Sequence, residues 1–237
     1  IIDTNKRSNQ PFHDKEKRYY LLYNGEIYNF SNLKKKFSLQ CKTKSDTEVL
    51  FLLLKRFGIK KTLIELEGMF SFVFLDTKLN KIFCARDHFG QKPFYYYNGK
   101  KGFVCSTSIK PIVKMTDSFN FDKKNLYKYL SSSGILETDQ TIFKNIKSLP
   151  AGHYLIYKNK NIKIQRYFHP SDLFDFKFYE NLKKNSLKEI IEKLAFNIKN
   201  SIGKHLISDV PVGICLSGGI DSSLITHYAL EKNRKIK

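Results

Sequence analysis

The most constraining feature of this sequence is a change of rhythm along it. Through the first two-thirds, short aromatic and aliphatic runs alternate with turn-forming clusters, the pattern of strands in an antiparallel sheet. Residues 18–23 form one such run, and the following Asn24-Gly25, a pair that tolerates positive φ, predicts a turn. Residues 70–75 and 81–85 flank Asp76-Thr77-Lys78-Leu79-Asn80 and predict a hairpin. A second is expected from residues 93–97 and 102–105, joined through Asn98-Gly99. After Pro150, one more strand pair is broken by Lys158-Asn159-Lys160-Asn161. Two helical stretches interrupt this sheet core. One begins at Ser45, with Glu48 spaced for a capping box and Gly58 placed as a stop.

Past Pro170 the strand rhythm is lost. Residues 186–206 carry helical periodicity, with Leu187, Ile190, Ile191 and Leu194 on one face. Residues 212–216, then Ser217-Gly218-Gly219, then residues 224–230 read as strand, glycine loop and helix, the opening unit of a parallel α/β domain. With 237 residues and 41% apolar content, the chain can bury one good core and a second small one. The expected division is a domain over residues 1–167, a linker over 168–185 and the start of a second domain over 186–237.

Composition narrows the function classes. The longest uninterrupted apolar run, residues 49–54, is far below the ~20 needed to cross a bilayer. No membrane span or export signal is expected, and a cytoplasmic location fits. Cys41, Cys84, Cys105 and Cys215 are scattered singly, which favours buried thiols over disulfides or zinc ligands. The formal charge of +20 attracts anions, but the lysines are spread along the chain in pairs and short runs. A solvated lysine-rich surface is therefore favoured over a nucleic-acid groove, and core packing explains most of the aromatic residues.

Two constellations carry chemistry. Ser217-Gly218-Gly219-Ile220-Asp221-Ser222-Ser223 lies between an expected strand and helix. Glycines there let the backbone approach a bulky anion, the helix start presents unpaired N–H groups, and serine hydroxyls add donors, so phosphate is the natural guest. A lysine of the Walker type is lacking. The second comprises Asn24-Gly25-Glu26-Ile27-Tyr28-Asn29 and Ser45-Asp46-Thr47-Glu48. An amide side chain with a nearby backbone N–H can stabilise an oxyanion, and the carboxylates Glu26 and Asp46 can hold an amino acid's ammonium.

The strings NGEIYN, SDTEVL, GMFSFVFLD, ARDHFGQKPFYYY, LPAGHYL and DVPVGICLSGGIDSS, in that order, resemble the glutamine-hydrolysing asparagine synthetases along nearly the whole chain. The resemblance implies an αββα sandwich of antiparallel sheets, an α+β fold of the N-terminal-nucleophile type, followed by the start of a parallel-sheet ATP-pyrophosphatase domain. It also implies glutamine, aspartate and ATP as substrates, with Mg²⁺, and a homodimer when full length. Transferred residue by residue, Asn24 and Gly25 match the oxyanion-hole pair. Glu26 and Asp46 match the groups that bind the glutamine α-amino group. Ser217, Gly218, Gly219, Asp221, Ser222 and Ser223 would hold the pyrophosphate portion of ATP, with Leu216 against the adenosine and Asp221 helping to hold Mg²⁺. Arg86 and Asp87 are expected to form an ion pair that supports the fold, and His88 and His153 to be structural or surface residues.

One departure stands out. The family nucleophile is an N-terminal cysteine, whereas this sequence starts at Ile1. The expectation is a fragment truncated at both ends, inactive by itself, with a mobile carboxyl end. The competing enzyme reading is a related amidotransferase that amidates another carboxylate in surface-polysaccharide or natural-product synthesis.

Overall fold

Period-two alternation, which sends successive side chains to opposite faces of a strand, sets the layers of the larger of two compact units, Asn5–His169. The computed structural model describes every residue except 1, 4, 133, 135, 235 and 237. In chain order the larger unit contains β1 (Phe12–His13), β2 (Tyr19–Ile27), α1 (Phe30–Lys36), α2 (Asp46–Glu65), β3 (Gly68–Asp76), β4 (Lys81–Arg86), β5 (Tyr95–Gly99) and β6 (Gly102–Ser106). It continues through α3 (Ile109–Thr116), α4 (Lys123–Ser131), β7 (Ile146–Ser148), β8 (His153–Lys158) and β9 (Asn161–Arg166). One sheet has six strands in the order β1-β2-β3-β4-β8-β9, the other three in the order β6-β5-β7, and all these pairings are antiparallel.

On one face of the large sheet, Leu21, Tyr23 and Ile27 of β2 and Phe70 and Phe72 of β3 join a cluster with Leu50, Leu53 and Leu54 of α2. Each such side chain contributes roughly 1.5–3 kcal/mol when fully buried, so this layer dominates the unit's stability. On the other face, Cys84 and Leu155 meet Phe94, Tyr96 and Leu149, joining the two sheets. The outer face of the small sheet, Tyr97 and Ile146, is closed by Ile112 and Val113 of α3. The layers are helix, sheet, sheet, helix: an αββα sandwich, as the resemblance implies.

Several local expectations are corrected. The backbone does not turn at Asn24-Gly25: β2 continues to Ile27, with Asn24 opposite Ser71 and Gly25 opposite Phe70. Glycine is needed there for close approach, since a Cβ on Gly25 (φ +157°) would lie 2.1 Å from the Met69 carbonyl oxygen. In the second hairpin Asn98 and Gly99 end β5, Gly99 pairs with Gly102, and Lys100-Lys101 makes the turn. Ser45 does cap α2, accepting from the Thr47 N–H at 3.1 Å, but the capping box is absent. Glu48 instead accepts from the N–H groups of Lys42 and Thr43 at 2.8 and 2.6 Å and from the Thr43 hydroxyl at 2.7 Å. Gly58, at φ +71°, breaks the helical geometry without ending the element, which resumes to Glu65. The short α1, α3 and α4 bring the α-helices among the described residues of this unit to four where two helical stretches were expected, because elements of so few turns leave little periodicity to read.

The second unit is built on Pro170–Lys237 and contains α5 (Phe176–Leu182), α6 (Leu187–His205) and α7 (Ile220–Lys232). α6 opens on a full capping box between Ser186 and Glu189. The strand expected over residues 212–216 does not form; residues 211–217 have no regular secondary structure. A strand is stabilised by neighbours that take its backbone hydrogen bonds, and no strand occurs among the described residues of this unit. Phe176, Phe178 and Phe196 are exposed, so core packing does not account for the aromatic residues here. Among the described residues, no helix is long and apolar enough to cross a membrane. The four cysteines are free thiols, and Cys215 is exposed where a buried thiol was expected.

Candidate functional site

The site is built along the outer edge of β2. Short β1 pairs with β2 only at Phe12↔Leu21 and His13↔Tyr20, and Pro11, next in line, has no N–H to donate. The Gln10 side chain takes over: its Nε2 donates to the Tyr23 carbonyl at 2.7 Å and its Oε1 accepts from the Tyr23 N–H at 2.6 Å. Four residues along the same edge, the Ile27 N–H donates to Asp46 Oδ2 at 2.9 Å. The alternation of an antiparallel strand turns the Gly25 N–H to that edge as well, between these two points.

Asp46 lies in the first turn of α2 and is 4% exposed. Its Oδ2 also accepts from the Tyr23 hydroxyl at 2.7 Å. Burial pushes the Asp46 carboxyl above its ordinary pKa; the Ile27 N–H, the Tyr23 hydroxyl and the Thr47 N–H oppose that shift, while the charge of Glu26 reinforces it. The Glu26 charge thus lies close enough to raise the cost of ionising Asp46, which a bound cation would relieve.

The Asn24 side chain points to the sheet face opposite that of Tyr23. It lines a cleft of about 190 Å³ with Gln10, Ser71, Phe94, Cys105 and Thr107. The sequence reading grouped Asn24, Gly25, Glu26 and Asp46 around one pocket. The structure gathers them along one strand edge, with Asn24 and Glu26 on the inter-sheet face and Asp46 coming from the helix side. Gln10 and Tyr23 escaped the sequence reading: no motif marks Gln10, and Tyr23 read only as a strand residue. In the same cleft, the Cys105 thiol is in hydrogen-bonding contact with Cys84, whose own thiol is pushed up by burial.

Arg86 and Asp87 do not pair with one another. The Arg86 guanidinium donates to the carbonyls of Lys92, Gly90 and Leu149, each at 2.8 Å. Asp87 accepts from the N–H groups of Phe70, Phe89, Gln91 and Lys92 at 2.9 to 3.2 Å. Both support the fold, but by satisfying main-chain groups of loops and of β3 rather than each other. His88 is half-buried against the rings of Phe70, Tyr167 and Phe168, and burial holds its imidazole below its ordinary pKa. His153 Nδ1 lies 2.7 Å from the Ala151 carbonyl oxygen.

In the second unit, the serine-glycine loop leads directly into α7. Gly218 has φ +81°, Gly219 is the N-cap residue, and the Ser217 and Ser222 hydroxyls lie 2.9 Å apart. No side chain caps the helix, so its first N–H groups are offered outward, and Leu216, Ser217, Gly218, Gly219 and Asp221 are all exposed. Asp221 sits in the first turn. Among the described residues no group of three or more His, Cys, Asp or Glu side chains could hold a metal by itself. One carboxylate beside serine hydroxyls suits Mg²⁺, which is commonly bound through few protein ligands and mainly through substrate phosphates.

The larger unit is an αββα sandwich, two antiparallel sheets between layers of helices. Residues 1–168 match the family model described as a glutamine amidotransferase domain, and the chain belongs to that family. Residues 193–237 match the model described as asparagine synthase. The glutamine-hydrolysing asparagine synthetase 2 of Bacillus subtilis is 35% identical over 233 residues, covering 94% of this chain and 30% of its own length. The human glutamine-hydrolysing asparagine synthetase is 30% identical over 236 residues, covering 94% of this chain and 38% of its own length. A relative from Methanocaldococcus jannaschii is 34% identical, covering 95% of this chain and 45% of its own length. The chain thus spans less than half the length of these relatives.

Proposed function

We propose that this chain carries the glutamine site and the opening of the ATP site of a glutamine-hydrolysing asparagine synthetase. The observation that supports it best is the β2 edge, where the Gly25 N–H lies between a backbone clamped by Gln10 and the buried Asp46 carboxylate. In this reading Asp46 and Glu26 hold the ammonium of glutamine, whose binding offsets the repulsion between them. Asn24 and the Gly25 N–H donate to the oxygen that becomes negative as the amide is attacked. The attacking thiol belongs, in the family, to an N-terminal cysteine that is not among these residues. Glutamine and water yield glutamate and ammonia.

At the second site, Ser217, Gly218, Gly219, Ser222 and Ser223, with the N–H groups of the first turn of α7, hold the pyrophosphate part of ATP, and Leu216 lies against its adenosine. Asp221 would share Mg²⁺ with the phosphates, and that ion would supply charge neutralisation there. The side-chain carboxylate of aspartate displaces pyrophosphate to form an acyl adenylate, and ammonia then displaces AMP to give asparagine. The names of the relatives favour aspartate over another carboxylate acceptor. The domains proposed are the amidotransferase over residues 1–167 and the ATP-binding start over 186–237, joined by 168–185; a homodimer of the full-length protein completes the reading.

The test uses the protein made from the coding sequence together with its flanks. Incubated with glutamine, aspartate and ATP, it should form asparagine, AMP and pyrophosphate in equal amounts. Pyrophosphate released only with a different acid would overturn the acceptor, and absence of glutamate formation would overturn the glutamine site.

A further inference from the structure

We infer that Gln10 and Tyr23 are positioning residues for glutamine hydrolysis, each acting on a different half of the site. The inference rests on the glutamine reading above and adds two residues that touch neither the amide nor the ammonium. Beyond the end of β1, the Gln10 side-chain amide stands in for a missing strand partner, offering both an acceptor and a donor to the Tyr23 main chain. The carbonyl it holds belongs to the peptide unit joining Tyr23 to Asn24, so Gln10 fixes the plane from which Asn24 and Gly25 project. Gln10 also lines the cleft that Asn24 lines.

Tyr23 acts in the other direction. Its ring is buried in the layer against α2, and its hydroxyl donates to the Asp46 oxygen that also receives the Ile27 N–H. That bond fixes where the carboxylate sits relative to the strand edge. The phenol therefore governs how the ammonium is held, whereas Gln10 governs how the oxyanion is met. Ground-state binding and transition-state stabilisation are separable in kinetics, so the two residues should leave different signatures.

The test is steady-state glutamine hydrolysis by the full-length protein, with melting temperatures measured in parallel. Tyr23→Phe keeps the packed ring and removes the hydroxyl; KM for glutamine should rise about tenfold while kcat changes by less than about twofold. Gln10→Ala should lower kcat about tenfold with KM within about twofold. If Gln10→Ala does not fold, Gln10→Glu removes the donor to the Tyr23 carbonyl while keeping an acceptor, and should show the same fall in kcat. Active wild type with both variants unmoved, or with kcat and KM shifting alike in both variants as the melting temperature drops, would overturn the positioning roles. A full-length wild type that hydrolyses no glutamine would instead overturn the glutamine reading, and this inference with it.

Discussion

The phenol of Tyr23 reaches from β2 to the first turn of α2 and donates to Asp46 at 2.7 Å, inside a layer where both residues are buried. A carboxylate kept in such a place has a cost. Burial raises the pKa of Asp46, and so its ionisation works against folding.

The sign of that cost is specific. Between the unfolded value of about 3.9 and the higher folded value, the native state holds the proton more tightly, so stability falls as pH rises through this window. Asp46→Asn keeps an acceptor for Tyr23 and Ile27 without the charge. It should match or exceed the wild-type urea midpoint at pH 7, with the difference vanishing below about pH 4. The same variant should bind glutamine more weakly in the full-length protein, the trade expected of a functional site.

Asp76 behaves in the opposite way. Burial alone would raise its carboxyl, but hydrogen bonds from Arg18 and from the Leu79 and Lys78 N–H groups, with the Arg18 charge, outweigh that and hold it below the ordinary value. Its contribution is present above the unfolded pKa and is lost as pH falls through the folded one. Arg18→Gln should therefore lower the urea midpoint at pH 7, and the gap to wild type should close as the solution is acidified below about pH 4.

Gly25→Ala should be among the most damaging single-methyl changes in the chain. The added Cβ would meet the Met69 carbonyl oxygen at 2.1 Å and the Phe70 Cα at 2.7 Å, both main-chain atoms of β3 that cannot move without breaking the ladder. A loss of more than about 2 kcal/mol in chemical denaturation is expected. A change within about 0.5 kcal/mol would mean that β2 and β3 are not this close.

Amide exchange distinguishes the two units. Residues 212–216 take part in no strand among the described residues, and should exchange far faster than the amides of β3, which is paired on both sides. Strong protection from Val212 to Leu216 would show that this segment has found sheet partners.

Much of the sandwich was legible in the order of the residues, because alternation and turn chemistry are local. The hairpin around Asp76-Thr77-Lys78-Leu79-Asn80 and the break at Asn159-Lys160 each place an asparagine, Asn80 or Asn159, in the left-handed conformation that asparagine tolerates wherever it occurs. Asn24-Gly25 carries the same local chemistry and yet runs straight. What decides there is β3 alongside, whose carbonyl leaves no room for a side chain. Glu48 shows a similar override: its spacing from Ser45 fits a capping box, but the N–H groups of Lys42 and Thr43 form a better-populated set of donors.

The sequence by itself determined the kinds of chemistry available: an asparagine-glycine pair, two carboxylates and a serine-glycine loop before a helix, each with a spacing that local physics can interpret. Only the tertiary structure decided how the first group meets. Asn24 and Asp46 approach one strand edge from opposite faces, Gln10 completes that edge where β1 ends, and Tyr23 ties it to α2. Those relations join residues 13 to 23 positions apart in the chain. They depend on which strand lies next to which and on how far apart the layers are packed, quantities that no window of neighbouring residues contains.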